Sequence, residues 1–229
     1  MDNINKYYDL NRSKESVKNK KHRNLVGGFW DEIGRLQFDY LVKRDLNPDM
    51  KLIDIGCGCL RGGIHFVNYL EPHHYFGMDI SDDLLDVGYN KEIKKLDLQK
   101  KLDRNKLICD FNFSFNLFNE NFDFAVAISL FTHLPLNHIR LCLENLATNM
   151  KNGSLFCATF FLVDNEQWSK PFTHQPGGAT TLPTSDPYHY REIDLWYCIA
   201  DLPWELEIVG DWRHPRDQKM VVFKKTENK

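Results

Sequence analysis

An α/β fold built around a mostly parallel sheet is what this sequence predicts, and three observations carry the prediction. From Lys51 onward, short apolar runs alternate with stretches of helical spacing, the signature of strands joined through helices. Residues 51–63 read as a buried strand, a glycine turn and the start of a helix. Acidic residues, Asp54, Asp79 and Asp110, stand at or just beyond the ends of three successive strands.

Each element follows from its local pattern. Ahead of the first strand, Trp30, Ile33, Leu36, Phe38, Leu41 and Val42 recur near helical spacing, so an amphipathic helix is expected there. Residues 51–55 form the first strand and 62–70 the first helix after it, closed by Glu71-Pro72. The second strand covers 75–80. Ser81 then opens a helix with Asp82 and Asp83 in its first turn, where carboxylates suit the positive end of the helix dipole. A short third strand lies at 106–109, a fourth at 122–129, a helix with proline at its start at 135–149, and a fifth strand at 155–163 after the turn Asn152-Gly153. Residues 164–189 carry four of the nine prolines, paired glycines and several aromatics with no period, which predicts a long ordered loop or small cap. A helix at 191–200 and strands near 205–209 and 219–224 complete the chain.

At 229 residues the chain suits one α/β domain with a full core and little room for a second. The longest apolar run, 155–163, is far short of a membrane span. Residues 1–24 are polar and lack the apolar core of a secretory signal, so a cytoplasmic, reducing location is expected. Cys57, Cys59, Cys109, Cys142, Cys157 and Cys198 contain no CxxC pair and fall mostly in apolar patterns, which predicts buried thiols with neither a metal site nor disulfides. A formal net charge of −3 argues against general affinity for nucleic acid. Arg12, Lys14, Lys18, Lys20, Lys21 and Arg23 make the N-terminal segment locally basic; a solvated helix face accounts for them, and so does a lid or anion-attracting arm.

The chemistry is carried by Lys51-Leu-Ile-Asp-Ile-Gly-Cys-Gly-Cys-Leu-Arg-Gly-Gly63. Gly56 and Gly58 let the backbone turn sharply and approach a ligand. The dinucleotide fingerprint GxGxxG fails, because Arg61 stands where its third glycine belongs. Asp54 ahead of the glycines would repel a pyrophosphate and suits a cationic ligand. With Asp54-Ile-Gly-Cys-Gly58 as its first motif, the sequence from about Leu52 to Phe223 resembles the class I S-adenosylmethionine-dependent methyltransferases of small-molecule type. In that motif the position of Leu60 is often glycine.

The resemblance implies a Rossmann-like seven-stranded sheet of six parallel strands and one antiparallel strand near 219–224, in a single domain over 1–229. Residues 1–50 would form a helical N-terminal cap, 51–163 the cofactor-binding core, and 164–189 and 210–218 the acceptor-side loops. S-adenosylmethionine would be the cofactor, with Asp54, Gly56, Cys57, Gly58, Arg61, Asp79, Ile80, Asp110, Phe111 and Ser129 around it. Asp79 would accept both ribose hydroxyls, Asp110-Phe111 would meet adenine, and Arg61 would meet the methionine carboxylate.

His133, in Ser129-Leu-Phe-Thr-His-Leu-Pro135, follows the fourth strand, whose carboxyl end faces the transferring methyl group in this fold; it is a candidate base, or a structural histidine at a helix start. The Asp/Asn-Pro-Pro-Tyr motif of amino-methyltransferases acting on DNA is missing there, and Asp186-Pro-Tyr188 reads as a decoy in the wrong loop. His174, Tyr188, Tyr190, Arg191 and His214 are expected on the acceptor side, with Arg213 and Arg216 nearby. The expected reaction is methyl transfer to an oxygen or nitrogen of a small polar metabolite, anionic or sugar-related, with no nucleic acid, membrane or metal involved. A non-catalytic binding module of the same fold and a dinucleotide oxidoreductase are the rival readings.

Overall fold

In the computed structural model, which describes residues 5, 9–19 and 21–227, the apolar run after Lys51 forms β1 (Leu52–Ile55), buried along its whole length. Such unbroken burial is typical of a strand covered on both faces. β1 pairs in parallel with β2 (Tyr75–Asp79), β2 with β3 (Leu107–Cys109), and β1 on its other side with β4 (Phe122–Ala127). By internal contacts the chain divides into a unit of Tyr7–Phe111 with Phe122–Val126 and a unit of Met1–Lys6, Asn112–Asn121 and Ala127–Lys229.

The first unit also holds α1 (Leu10–Lys18), α2 (His22–Leu25), α3 (Trp30–Lys43), α4 (Gly63–Tyr69) and α5 (Asp82–Val87). Trp30, Ile33, Gln37 and Leu41 form the buried stripe of α3, while Leu36, Phe38 and Val42, also expected on it, are only half-buried. Ser81 caps α5 by accepting a hydrogen bond from the Leu84 amide at 3.3 Å. Trp30 closes a small core with Cys59, Leu84 and Val87, and Val17, Leu25, Val26 and Ile64 pack against it. The N-terminal helices are thus bound to the glycine turn and to α5. Lys20 and the side chain of Arg12, both in the basic cluster, lie outside the described residues.

The second unit holds α6 (Leu136–Ala147), β5 (Met150–Phe160), β6 (Phe172–His174), β7 (Ala179–Thr181), α7 (Glu192–Ile199), β8 (Trp204–Gly210) and β9 (Lys219–Lys225). β9 runs antiparallel to both β5 and β8. Phe131, Phe156, Phe160, Trp204 and Phe223 meet ring to ring at its centre. The order of the seven-stranded sheet is β3-β2-β1-β4-β5-β9-β8, six parallel strands and one antiparallel strand, β9.

Three local expectations are corrected. β5 begins five residues earlier than its apolar run, so Asn152-Gly153 lies inside it; Gly153 takes φ +83° there, and pairing with β9 starts only at Leu155. The loop after β5 contains the two-stranded ribbon β6-β7, whose three-residue strands are too short to show an alternating pattern. Cys109, at the end of an edge strand, is exposed; the other five thiols are buried. Among the described residues, no helix is long and apolar enough to cross a membrane.

Candidate active site

The first group of candidate residues gathers at the carboxyl ends of β1, β2 and β3. The amides of Gly56 and Cys57 both donate to the Met78 carbonyl, at 2.8 and 3.1 Å, which folds the chain back over the end of β2. Gly56, Gly58 and Leu60 all have left-handed backbones, with φ of +72°, +55° and +69°. Leu60, at the position expected to hold glycine, thus carries a left-handed backbone itself.

Gly58 donates its amide to Asp79 Oδ2 at 2.8 Å, Ser81 donates to Oδ1 at 3.0 Å, and the Asp110 amide donates to the Asp79 carbonyl at 3.0 Å. Asp54, Gly56, Gly58, Asp79 and Asp110 are thus brought together. Burial pushes the Asp79 carboxyl up to about 6 although three backbone amides oppose the shift. Asp54, only 4% exposed, accepts a hydrogen bond from the Tyr75 hydroxyl at 2.8 Å. Its carboxyl is pushed up to about 7, chiefly by burial and further by Asp79, against the Tyr75 hydroxyl and Arg61. Two carboxylates so desolvated form a site that gains from a cationic ligand. Cys57 is a buried thiol raised well above its ordinary value by desolvation. Ile80 is half-buried, and its carbonyl faces the Cys109 thiol at 3.4 Å. Phe111, just past β3, exposes 54% of its surface.

Arg61 has a second task that its sequence position does not disclose. It is buried, and Nη1 donates to the carbonyls of Val26 at 2.9 Å and Gly28 at 3.1 Å. Glu92 takes His22 Nε2 at 2.9 Å and Arg23 through both carboxylate oxygens. A Cβ on Gly58 would stand 2.8 Å from the Val26 side chain. The segment around 22–28 is thereby clasped onto the glycine turn, and Arg23 of the basic cluster serves in that clasp, its guanidinium also lying 4.4 Å from the Trp30 ring.

The remaining candidates belong to the second unit. Ser129 has φ +62°, donates its amide to Thr159 Oγ1 at 2.7 Å and its hydroxyl to Gln218 at 2.9 Å. His133 closes the short 3₁₀ turn Phe131–His133, and its Nδ1 meets Asp186 Oδ1 in a short hydrogen bond. The dismissed Asp186-Pro-Tyr188 segment thus lies beside His133. Asp186 is the residue sequence reading missed, since 53 positions separate the pair.

All five acceptor-side candidates are engaged within their own unit. His174, 1% exposed, bonds Thr181 Oγ1 through Nε2 at 3.0 Å and Asp217 through Nδ1 at 3.4 Å; Thr181 also meets His189 Nδ1 at 2.7 Å. Burial holds the His174 imidazole below its ordinary value, against Asp217. The Tyr190 hydroxyl donates to the Leu134 carbonyl in a short bond, and the Tyr188 ring stacks on that of Tyr190 at 6.3 Å. His214 stacks on Trp212 at 5.6 Å and accepts from the Arg216 amide at 3.2 Å. Arg191 pairs with Asp194 at 2.7 Å and lies 4.3 Å from the Trp168 ring. Arg191 also lines an open cavity of about 910 Å³ in this unit, with Asp164, Asn165, Glu192, Trp196 and Lys219 among its walls. His174, Tyr188, Tyr190 and His214 do not line it.

Residues 53–156 match the family model described as a methyltransferase domain. The fold is shared with an S-adenosylmethionine-dependent methyltransferase from Clostridium acetobutylicum, at 11% identity and a TM-score of 0.64 over 93% of this chain and 98% of that one. It is shared with the CcbJ methyltransferase from Streptomyces caelestis, at 15% identity and 0.60 over 84% and 89%. It is also shared with magnesium protoporphyrin IX methyltransferase from Synechocystis with bound SAH, at 13% identity and 0.59 over 86% and 85%. The glycine turn and the sheet order stand beside these comparisons: residues 53–156 match a methyltransferase domain, and the chain shares its fold with S-adenosylmethionine-dependent methyltransferases.

Proposed function

We propose that the protein transfers the methyl group of S-adenosylmethionine to an oxygen or nitrogen of a small polar metabolite, anionic or sugar-related, in the cytoplasm. The observation that carries the cofactor side is the buried pair Asp54 and Asp79 at adjacent strand ends, raised to about 7 and about 6. When bound, the cofactor supplies an electrophilic methyl group on a sulfonium. Asp54 offsets its positive charge, and Asp79 accepts the ribose hydroxyls on lone pairs that its backbone partners leave over. Phe111 and Asp110 take the adenine, Gly56, Cys57 and Gly58 bring the backbone close, Ile80 lines the site, and Arg61 meets the carboxylate.

His133 is the proposed base. It is needed where the acceptor does not arrive already ionised. The polar walls of the 910 Å³ cavity, Asp164, Asn165, Arg191, Glu192 and Lys219, support a polar acceptor more directly than the engaged histidines His174 and His214 do. Six free cysteines suit a reducing compartment. A net charge of −3 favours a small molecule over nucleic acid.

Calorimetry with S-adenosylhomocysteine tests the cofactor reading. Asp79→Ala should weaken binding by about 1.5–3 kcal/mol, the range of a hydrogen bond to a charged group. Unchanged affinity in a folded variant would put the ribose elsewhere. Release of S-adenosylhomocysteine is then assayed against sugars, hydroxy acids, amines and an RNA oligonucleotide; turnover with RNA alone would overturn the small-molecule reading.

A further inference from the structure

His133 and Asp186 are both sheltered, with side chains 14% and 11% exposed. What brings them together is more than their own bond. The Tyr188 amide donates to the Thr132 carbonyl at 2.8 Å, the Tyr190 hydroxyl reaches the Leu134 carbonyl, and the Tyr190 amide donates to Phe161 at 2.9 Å. The Leu182 amide donates to the Pro187 carbonyl at 2.9 Å, and Asn5 Nδ2 donates to the His133 carbonyl at 2.7 Å. The segment 186–190 is therefore fixed along the turn 131–134 by a backbone bond to the Thr132 carbonyl and a tyrosine hydroxyl on the Leu134 carbonyl, which flank His133 on both sides. Asp186 is held in place without help from the imidazole.

A carboxylate has acceptors only, so the nitrogen facing it must carry the hydrogen. We propose that Asp186 is a positioning residue, which holds neutral His133 with its proton on Nδ1 and its lone pair on Nε2, the form a base requires. This rests on the reading of His133 as the base. The proton leaving the acceptor's O–H or N–H moves to Nε2, and the electron pair of that bond stays on the acceptor atom. The resulting imidazolium keeps its Nδ1–H on the Asp186 carboxylate, an opposite charge in a site with little solvent screening. Among the described residues, the Tyr188 and Tyr190 phenols also feel the Asp186 carboxylate; both are raised by burial and further by Asp186, so they remain neutral. The Asn5 amide carries no charge.

The test is a ¹⁵N-labelled full chain in which the two-bond ¹H–¹⁵N pattern of His133, assigned with His133→Gln, is followed from acid to alkaline pH. In wild type the neutral ring should carry its hydrogen on Nδ1. Asp186→Asn should lower the His133 proton affinity about 10- to 100-fold, the effect of losing a close opposite charge, and Asp186→Glu should restore most of it. A hydrogen on Nε2 in wild type overturns the proposal and needs no variant to fold. So does a titration that Asp186→Asn leaves unmoved in a protein with wild-type circular dichroism. If the tautomer is as stated but His133→Gln retains turnover on an identified acceptor, the base reading fails while the positioning by Asp186 stands.

Discussion

Asp54→Asn separates the energetic cost of the buried acid from its use. The fold raises the Asp54 carboxyl from its ordinary 3.8 to about 7, mainly through burial. The folded protein therefore holds a proton that the unfolded chain releases, and stability is lost as pH rises between those two values and is lowest above the upper one. At about 1.4 kcal/mol per tenfold change in proton affinity, the full cost is about 4 kcal/mol above about pH 8 and a little under half of that near pH 5. Asparagine has no such titration. An amide nitrogen without a good partner gives back about 1–3 kcal/mol at every pH, so the informative quantity is the change with pH. The stability of the variant relative to wild type should rise by about 2–3 kcal/mol from about pH 5 to about pH 8. Denaturant titrations followed by circular dichroism at both pH values measure it. S-adenosylmethionine binding should tighten through the same window in wild type, as Asp54 ionises beside a cation, and lose that dependence in the variant. A stability difference that is flat with pH, or one that falls as pH rises, would refute the assignment of a desolvated acid to this position.

Arg61→Ala removes a buried cationic donor from two backbone carbonyls and should cost about 2–4 kcal/mol, with faster hydrogen exchange at the Val26 and Gly28 amides; unchanged exchange there would mean that the clasp lies elsewhere. Gly58→Ala meets both a left-handed backbone and the Val26 side chain at 2.8 Å, and should weaken the fold by about 1–3 kcal/mol. Adding Val26→Ala should recover the steric part and leave the backbone part, so a double variant no better than Gly58→Ala alone would count against the contact. Thr181→Val leaves the His174 and His189 nitrogens without their shared partner and should destabilise by about 2–4 kcal/mol; a thermal midpoint within a degree or so of wild type would show that the network is not maintained in solution.

The strands, the helices between them and the acidic strand ends were legible because each is a local pattern: an apolar run, a glycine pair, a serine followed by two aspartates. The count of seven strands, with one antiparallel near 219–224, came from the resemblance that those patterns carried. What stayed hidden depends on contacts between distant positions. Arg61 reads as a ligand contact from its place after the glycines, and only the folded chain shows Val26 and Gly28 at its guanidinium. Asp186 looked like a misplaced motif because nothing near it in sequence needs a carboxylate; its partner is His133. His174 and His214 were expected on the acceptor side, and their burial stayed hidden because histidine composition carries no information on it. The ribbon β6-β7 escaped because three-residue strands have no measurable period.

Leu60 shows how the motif absorbs a departure from its usual glycine. A left-handed backbone costs a residue with a side chain about 1–2 kcal/mol, and Leu60 carries it at φ +69°. The side chain is fully buried, and complete burial of a leucine contributes about 1.5–3 kcal/mol, enough to offset the strain. That burial needs room, which two other glycines supply. A Cβ on Gly63 would approach Leu60 Cβ to 3.0 Å, and one on Gly88 would approach Leu60 Cγ to 3.0 Å. The missing glycine is thus matched by space on both sides of the leucine that replaces it. With Leu60 so accommodated, the turn keeps the shape that brings the Gly58 amide to Asp79.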